Sequence, residues 1–261
     1  MADNVVYGVR AVAEALASGR HVNRVYLAKE SRAAGAAAVA EQARGAGVRC
    51  DYVPQAKLNT LTGTREHQGV AAAVSPVDYV TLEALLADCR GPATLLALDQ
   101  VQHPKNLGML IRTATGAGVS GVVLPKRGGA LLDDTIVRAS AGTVMHLPVA
   151  VAGNLAQALR KVKEAGFWVF ALDGGGKTDV FRVNWPERCV VVMGNETHGV
   201  RPGVLKVCDD TIAIPLAHGL DSLNVSVAAG VALFQAYASR RTAASETGKG
   251  AGREPARGGF S

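Results

Sequence analysis

The chain has 261 residues, 48% hydrophobic and 19% charged, too apolar for a mainly disordered protein and long enough for one large α/β domain or two modest ones. Its net charge is +6, of which +4 falls between residues 91 and 241, a bias compatible with a polyanionic partner or with ordinary surface cations. No apolar run reaches the roughly 18 residues of a membrane span, and Met1-Ala2-Asp3-Asn4 has neither a basic nor an apolar leader character, so a cytoplasmic protein with no membrane partner is expected.

Val9, Val12, Ala13 and Leu16 recur at helical spacing and stop at Gly19, after which Val22 to Leu27 reads as a strand. The alanine-rich stretch 33–46 predicts a second helix, and residues 48–53 and 69–74, bounded by Pro54 and Pro76, predict two more strands. A small α/β domain over residues 1–76 follows. Residues 77–92 hold only the short cluster Leu82, Leu85 and Leu86, which predicts a linker with one helical turn.

Beyond it, apolar runs at 94–98, 121–124, 168–171, 189–193 and 211–214 alternate with helix-length segments such as 155–165. That is the pattern of a parallel sheet covered on both faces, placed over residues 93–241. Leu223, Val227, Val231, Phe234 and Ala238 share one face of the closing helix. Residues 242–261 read as a mobile polar tail.

Two familiar patterns fail. Gly116 to Gly121 matches a dinucleotide fingerprint literally, but a helix precedes it and a strand follows, the reverse of what the fingerprint needs. The run Gly174-Gly175-Gly176-Lys177-Thr178 lacks the first glycine of a phosphate loop, because Ala171 stands there. Cys50, Cys89, Cys189 and Cys208 are too scattered for a zinc or redox pair and read as reduced, buried thiols. His67, His103, His146, His198 and His218 show no i, i+4 pairing, so no metal is expected.

Three polar clusters stand where strands end or helices begin. They are Asp99 to Gly108 with Arg112 beyond it, Met193 to Gly199, and Ile214 to Ser226. Ligands of open α/β sheets bind at the carboxyl ends of strands, so the three are expected to converge. Singly, Asn106 and Ser222 fit helix caps and Glu196 fits a turn; together they exceed what capping requires.

The clusters resemble, in order and spacing, the three motifs of the SpoU (TrmH-type) RNA ribose methyltransferases: Asn106-Leu107-Gly108 with Arg112-Thr113-Ala114, Met193-Gly194-Asn195-Glu196 with Gly199, and Ile214-Pro215-Leu216 with Ser222 to Ser226. Val6 to Leu16 and His67-Gln68-Gly69-Val70 look like the substrate-binding domain of that family's 23S ribosomal RNA guanosine-2′-O-methyltransferases. The resemblance implies a trefoil-knotted methyltransferase domain behind a small ribosomal-protein-like RNA-binding domain, and a homodimer whose active site draws on both subunits. It further implies S-adenosylmethionine as methyl donor, and RNA as substrate, a guanosine of 23S ribosomal RNA first. Transfer RNA, an antibiotic-resistance ribosomal site and a non-catalytic ribosome-assembly role are the alternatives.

By the same resemblance Arg112 is the catalytic arginine, Asn106, Glu196, Ser222 and Asn224 complete the pocket, and Gly194, Ile214 and Leu223 meet the cofactor. A guanidinium has no free lone pair at neutral pH, so a phosphate clamp suits Arg112 better than a general base. Arg10, Arg20, Arg24, Lys29 and Arg65 are candidates for RNA backbone contacts.

Overall fold

In the computed structural model of the chain, residues 4–17, 21–29, 34–130 and 132–249 are described. The front of the chain folds as β1 (Val5–Tyr7), α1 (Val9–Ala17), β2 (Val22–Ala28), α2 (Ala34–Gly45), β3 (Cys50–Val53), α3 (Gln55–Thr62) and β4 (Val70–Val74). The sheet order is β1-β4-β2-β3, with β4 antiparallel to β1 and β2, and β3 parallel to β2. Val12, Val25, Val39, Ala43 and Val70 form its core, because the helical stripe of α1 and the alanine face of α2 close over the strands. Strand β1 and helix α3 are additions to the sequence pattern. Three residues are too few to show a period, and α3 buries only Leu58 and Thr62.

The expected linker is not loose. Val80 bridges to Ala150, and helix α4 (Leu82–Asp88), capped by the Thr81 hydroxyl, buries Leu82 and Leu85 among the residues of the second core. A leucine pair at i, i+3 on a capped two-turn helix carries enough apolar surface to dock.

The remainder runs β5 (Ala93–Leu98), α5 (Pro104–Gly116), β6 (Gly121–Pro125), α6 (Asp134–Ala139), β7 (Val149–Ala152), α7 (Leu155–Glu164), β8 (Trp168–Leu172), β9 (Thr178–Asp179), β10 (Arg188–Met193), α8 (Pro202–Leu205), β11 (Asp210–Ala213) and α9 (Val225–Lys249). Its strands lie in the order β7-β6-β5-β10-β8-β11-β9, every pair parallel. Alternate residues serve opposite cores: Leu96, Leu98, Val191 and Phe170 pack with α5 and α9, while Leu95, Ala97, Val190 and Val169 pack with α4 and α7. The order turns back between β5 and β10, the switch point at which such sheets open a crevice.

Helix α9 departs from the sequence reading twice. It continues to Lys249, past the boundary expected at 241, since Ala243, Ala244 and Glu246 are good helix formers and polarity does not by itself end a helix. The tail from residue 250 lies outside the described residues. Its core face is Val225, Ala229, Ala232, Leu233 and Ala236, whereas Val227 and Phe234 of the predicted stripe are 50% and 48% exposed. Both faces of this helix are apolar, and the alanine face approaches α5 more closely.

All four cysteines are free, with Cys89 and Cys189 buried and Cys50 and Cys208 half-buried, so burial is less complete than expected. Among the described residues no helix is long and apolar enough to cross a membrane, and no group of three or more potential ligands could hold a metal ion.

Candidate functional site

The loops that follow β5, β8, β10 and β11 meet on one side of the sheet around a cleft of about 510 Å³. Asn106, Gly194, Glu196, Ile214, Ser222, Leu223 and Asn224 all line it. The three polar clusters, spread over more than a hundred positions of sequence, are thus neighbours in space, as the switch-point argument requires.

A chain of hydrogen bonds stitches them together. Helix α5 starts at His103, whose own side chain makes no cap bond. Glu196 does that work from the next loop: its carboxylate accepts from the Gln102 N–H at 3.3 Å, the His103 N–H at 3.2 Å and Asn106 Nδ2 at 3.0 Å. Asn106 Oδ1 in turn accepts from Asn224 Nδ2 at 3.1 Å, and Asn224 Oδ1 accepts from the Ser226 N–H and hydroxyl at 2.9 and 2.6 Å. Each cluster therefore contributes one link, and the bland capping role and the site role are held by the same atoms.

Burial alone would push the Glu196 carboxyl up, but the Asn106 amide and the backbone donors around it outweigh that and hold it below the usual glutamate range. A carboxylate so engaged is a poor proton acceptor and a good strut.

The loop after β10 is pinned from both ends. Asn195 and Gly199 exchange backbone hydrogen bonds at 2.9 and 3.0 Å, and Asn195 Nδ2 donates to the Gln100 carbonyl at 3.0 Å. Asp99, wholly buried at the end of β5, accepts from the Arg201 N–H and Nε at 2.8 Å each. Gly194 has a reason of its own here: a Cβ at that position would overlap the backbone of Gly199 and Val200. The glycine serves the loop's closure as well as access to the cleft. Gly108 of the first cluster lies away from the cleft, where a Cβ would overlap Ala139 of α6, so it permits close helix packing.

Asp173 and Asp221 also line the cleft, and sequence reasoning missed them. Asp173 could have been found as the first polar residue after β8; Asp221 carries no local signal. With Glu196 they make three carboxylates, and no lysine or arginine joins the lining. Such a surface favours a cationic ligand.

Arg112 is not brought into the cleft. It is exposed on α5 and lines no part of it, since six positions beyond Asn106 turn it by about 240° on a helix of 3.6 residues per turn. Arg10, Lys29 and Arg65 of the front unit are exposed and stand apart from the cleft as well, and Arg24 is paired with Asp51 at 2.7 Å. Arg20 lies outside the described residues.

Residues 93–234 match the SpoU rRNA Methylase family, and residues 5–80 match the RNA 2′-O ribose methyltransferase substrate-binding family. The chain belongs to the SpoU rRNA methylase family. YacO of Bacillus subtilis strain 168, assigned by its name to the TrmH family of tRNA/rRNA methyltransferases, is 36% identical over 90% of this chain and 95% of its own. Two solved structures in complex with AdoMet share the SpoU architecture. The SpoU methyltransferase AviRb of Streptomyces viridochromogenes has a TM-score of 0.59 and 25% identity, covering 91% of this chain and 90% of its own. An rRNA methyltransferase of Sinorhizobium meliloti has a TM-score of 0.57 and 29% identity, covering 91% and 87%. In this SpoU methylase the two matched families account for residues 5–80 and 93–234, and the cleft lies within the second of them.

Proposed function

We propose that the chain transfers a methyl group from S-adenosylmethionine to a ribose 2′-hydroxyl of RNA, with a guanosine of 23S ribosomal RNA as the leading target. The observation that carries this reading is the carboxylate-lined cleft built from the three SpoU motifs. S-adenosylmethionine is cationic at both its sulfonium and its amino group, which matches a lining of Asp173, Glu196 and Asp221 with no opposing lysine or arginine. When bound, it supplies an already activated methyl group, so the protein's task is alignment rather than activation.

Gly194, Ile214 and Leu223 offer main chain and apolar side chain to an adenosine, and Ser222 and Asn224 offer polar contacts beside them. Glu196 and Asn106 hold the start of α5 against this wall. The chain crossings that bring residues 194–201 and 214–224 to the same place are read as the trefoil knot of the family.

Arg112 acts from a second copy of the chain in this reading. It stands one turn after the exposed Met109 on α5, a helix that packs on α9, where Val227 and Phe234 are uncovered, and these apolar side chains are suited to a homodimer face. There its guanidinium would clamp a substrate phosphate and stabilise the negative charge that develops on the 2′-oxygen as its proton passes to solvent water, while the oxygen–methyl bond forms and the sulfonium–methyl bond breaks.

Tritiated S-adenosylmethionine with unmodified ribosomal and transfer RNA, followed by mapping of the methylated nucleotide, tests the proposal. Label on a 23S guanosine ribose is expected; label on a base, or none on RNA, overturns it. Label on transfer RNA would shift the target within the same chemistry.

The Glu196 strut makes a second expectation. Glu196→Ala leaves three donors without their acceptor and is expected to weaken S-adenosylmethionine binding about 5- to 30-fold, or about 1–2 kcal/mol. Because its folded-state value is lowered, Glu196 also contributes folding stability that is complete above the ordinary glutamate range and is lost as pH falls through that lowered value. Urea denaturation should therefore give a Glu196-dependent stability that is flat across neutral pH and disappears only in acid. A Glu196→Ala affinity within twofold of the parent would remove the strut.

A further inference from the structure

The three carboxylates of the cleft do not use their charge alike. Glu196 is taken up by the Gln102 and His103 N–H groups and the Asn106 amide. Neither Asp173 nor Asp221 forms an ion pair among the described residues, and both line the cleft.

Asp173 is held in one orientation without a cation. Its Oδ1 accepts from the Gly175 N–H at 3.0 Å, and its own N–H donates to the Ile212 carbonyl at 3.0 Å. The other oxygen, Oδ2, is turned to the loop after β10, where a Cβ on Gly199 would stand 2.8 Å from it. Gly199 has φ +66°, so both its backbone and its missing side chain suit that approach. Asp221 arrives on the loop after β11, whose chain passes close to the residue following Asp173: a Cβ on Gly174 would lie 3.9 Å from the Asp221 carbonyl oxygen. Two acidic residues on neighbouring loops, one half-buried and one exposed, therefore face the cleft with their charges unmatched. Their mutual repulsion is relieved by a cation that enters between them.

The reaction changes the charge of the bound cofactor and little else. S-adenosylmethionine carries one net positive charge, from a sulfonium and an ammonium against one carboxylate. In the transfer the methyl carbon bonds to the ribose oxygen, the electron pair of the broken carbon–sulfur bond stays on sulfur, and the ribose proton passes to solvent water. The product, S-adenosylhomocysteine, is a thioether with no net charge. Main-chain and apolar contacts to the adenosine are common to both molecules, so they cannot separate them by more than the one methyl group. A fixed carboxylate can: a charge pair at about 4 Å is worth about fivefold in affinity in water, and more where water is partly excluded.

We propose that Asp173 and Asp221 are specificity residues that read the charge on the cofactor sulfur, retaining the sulfonium donor and releasing the thioether product. The assignment rests on the reading of this cleft as the S-adenosylmethionine site and adds that the site distinguishes the donor from what it becomes.

Calorimetric titration of the full-length protein with S-adenosylmethionine, S-adenosylhomocysteine and sinefungin, which carries an amine where the donor carries its sulfonium methyl, tests this without RNA. The parent is expected to bind the two cationic ligands more tightly than the thioether, by a ratio that narrows as salt is raised. Asp173→Asn and Asp221→Asn, which keep the shape and an acceptor oxygen, are each expected to weaken both cationic ligands about fivefold or more and the thioether less than twofold. The thioether is thus the internal control for folding. Equal weakening of all three ligands would show that the carboxylates hold a part common to them, and would overturn the proposal. A parent that binds the thioether as tightly as the donor would overturn it as well, and one that binds neither would remove the cofactor site with it. Variants that shift the ratio as expected in a protein that methylates no RNA would sink the proposed function and leave the charge reading in place.

Discussion

Arg112→Ala is expected to lower methyl transfer about 10²- to 10³-fold, the usual consequence of deleting one preorganised group that stabilises developing negative charge. Because Arg112 lies on the exposed face of α5 and outside the cleft of its own chain, the loss should be repairable in trans. Mixed with Asn224→Ala, which damages the cleft but retains Arg112, the inactive chain should regain activity after subunit exchange. Random pairing of two such defective chains gives one intact site in half of the dimers, or about a quarter of the parent activity. A mixture no more active than its components would show that the arginine does not act across a subunit contact. Arg112→Lys separates clamp from mere charge: near-full activity there would remove the bidentate role.

The Asp99–Arg201 pair should produce the largest change in stability, and an unequal one. Asp99 is 0% exposed and Arg201 is 45% exposed at their side chains. Arg201→Ala strands a carboxylate with no route to water and is expected to cost about 3–5 kcal/mol. Asp99→Ala frees a guanidinium that is already half in solvent, so about 2 kcal/mol is expected, mainly from the unmatched Arg201 N–H. Urea denaturation of both variants gives the order directly. Equal costs, or a greater cost for Asp99→Ala, would mean that the buried carboxylate is not what the arginine serves.

Much of this was legible in the residues themselves. Continuous apolar runs such as Leu95 to Leu98 and Val190 to Val192 announce strands buried on both faces, and the punctuation by Gly, Pro and Asn places the loops that hold Asn106, Glu196 and Asn224. The details that escaped depend on contacts between distant segments. Glu196 acts as the cap of α5 from ninety positions away, a bond that no local pattern encodes. Periodicity marks an apolar stripe on α9 but cannot say which of two apolar faces meets the core, and the shorter alanine side chains won that place. The Gly194 position likewise reads as ligand access from the sequence, whereas the overlap with Val200 is visible only once the loop is closed.

The docked segment between the two sheets has a last consequence. Strand β4 ends at Val74 and Val80 is already bridged to the parallel sheet, so the intervening stretch is a short hinge pin rather than a leash. With Asn23 bonded to the Leu132 carbonyl nearby, the front unit is tied to the parallel sheet at a second point. A substrate that touches both units must therefore fit this spacing rather than set it.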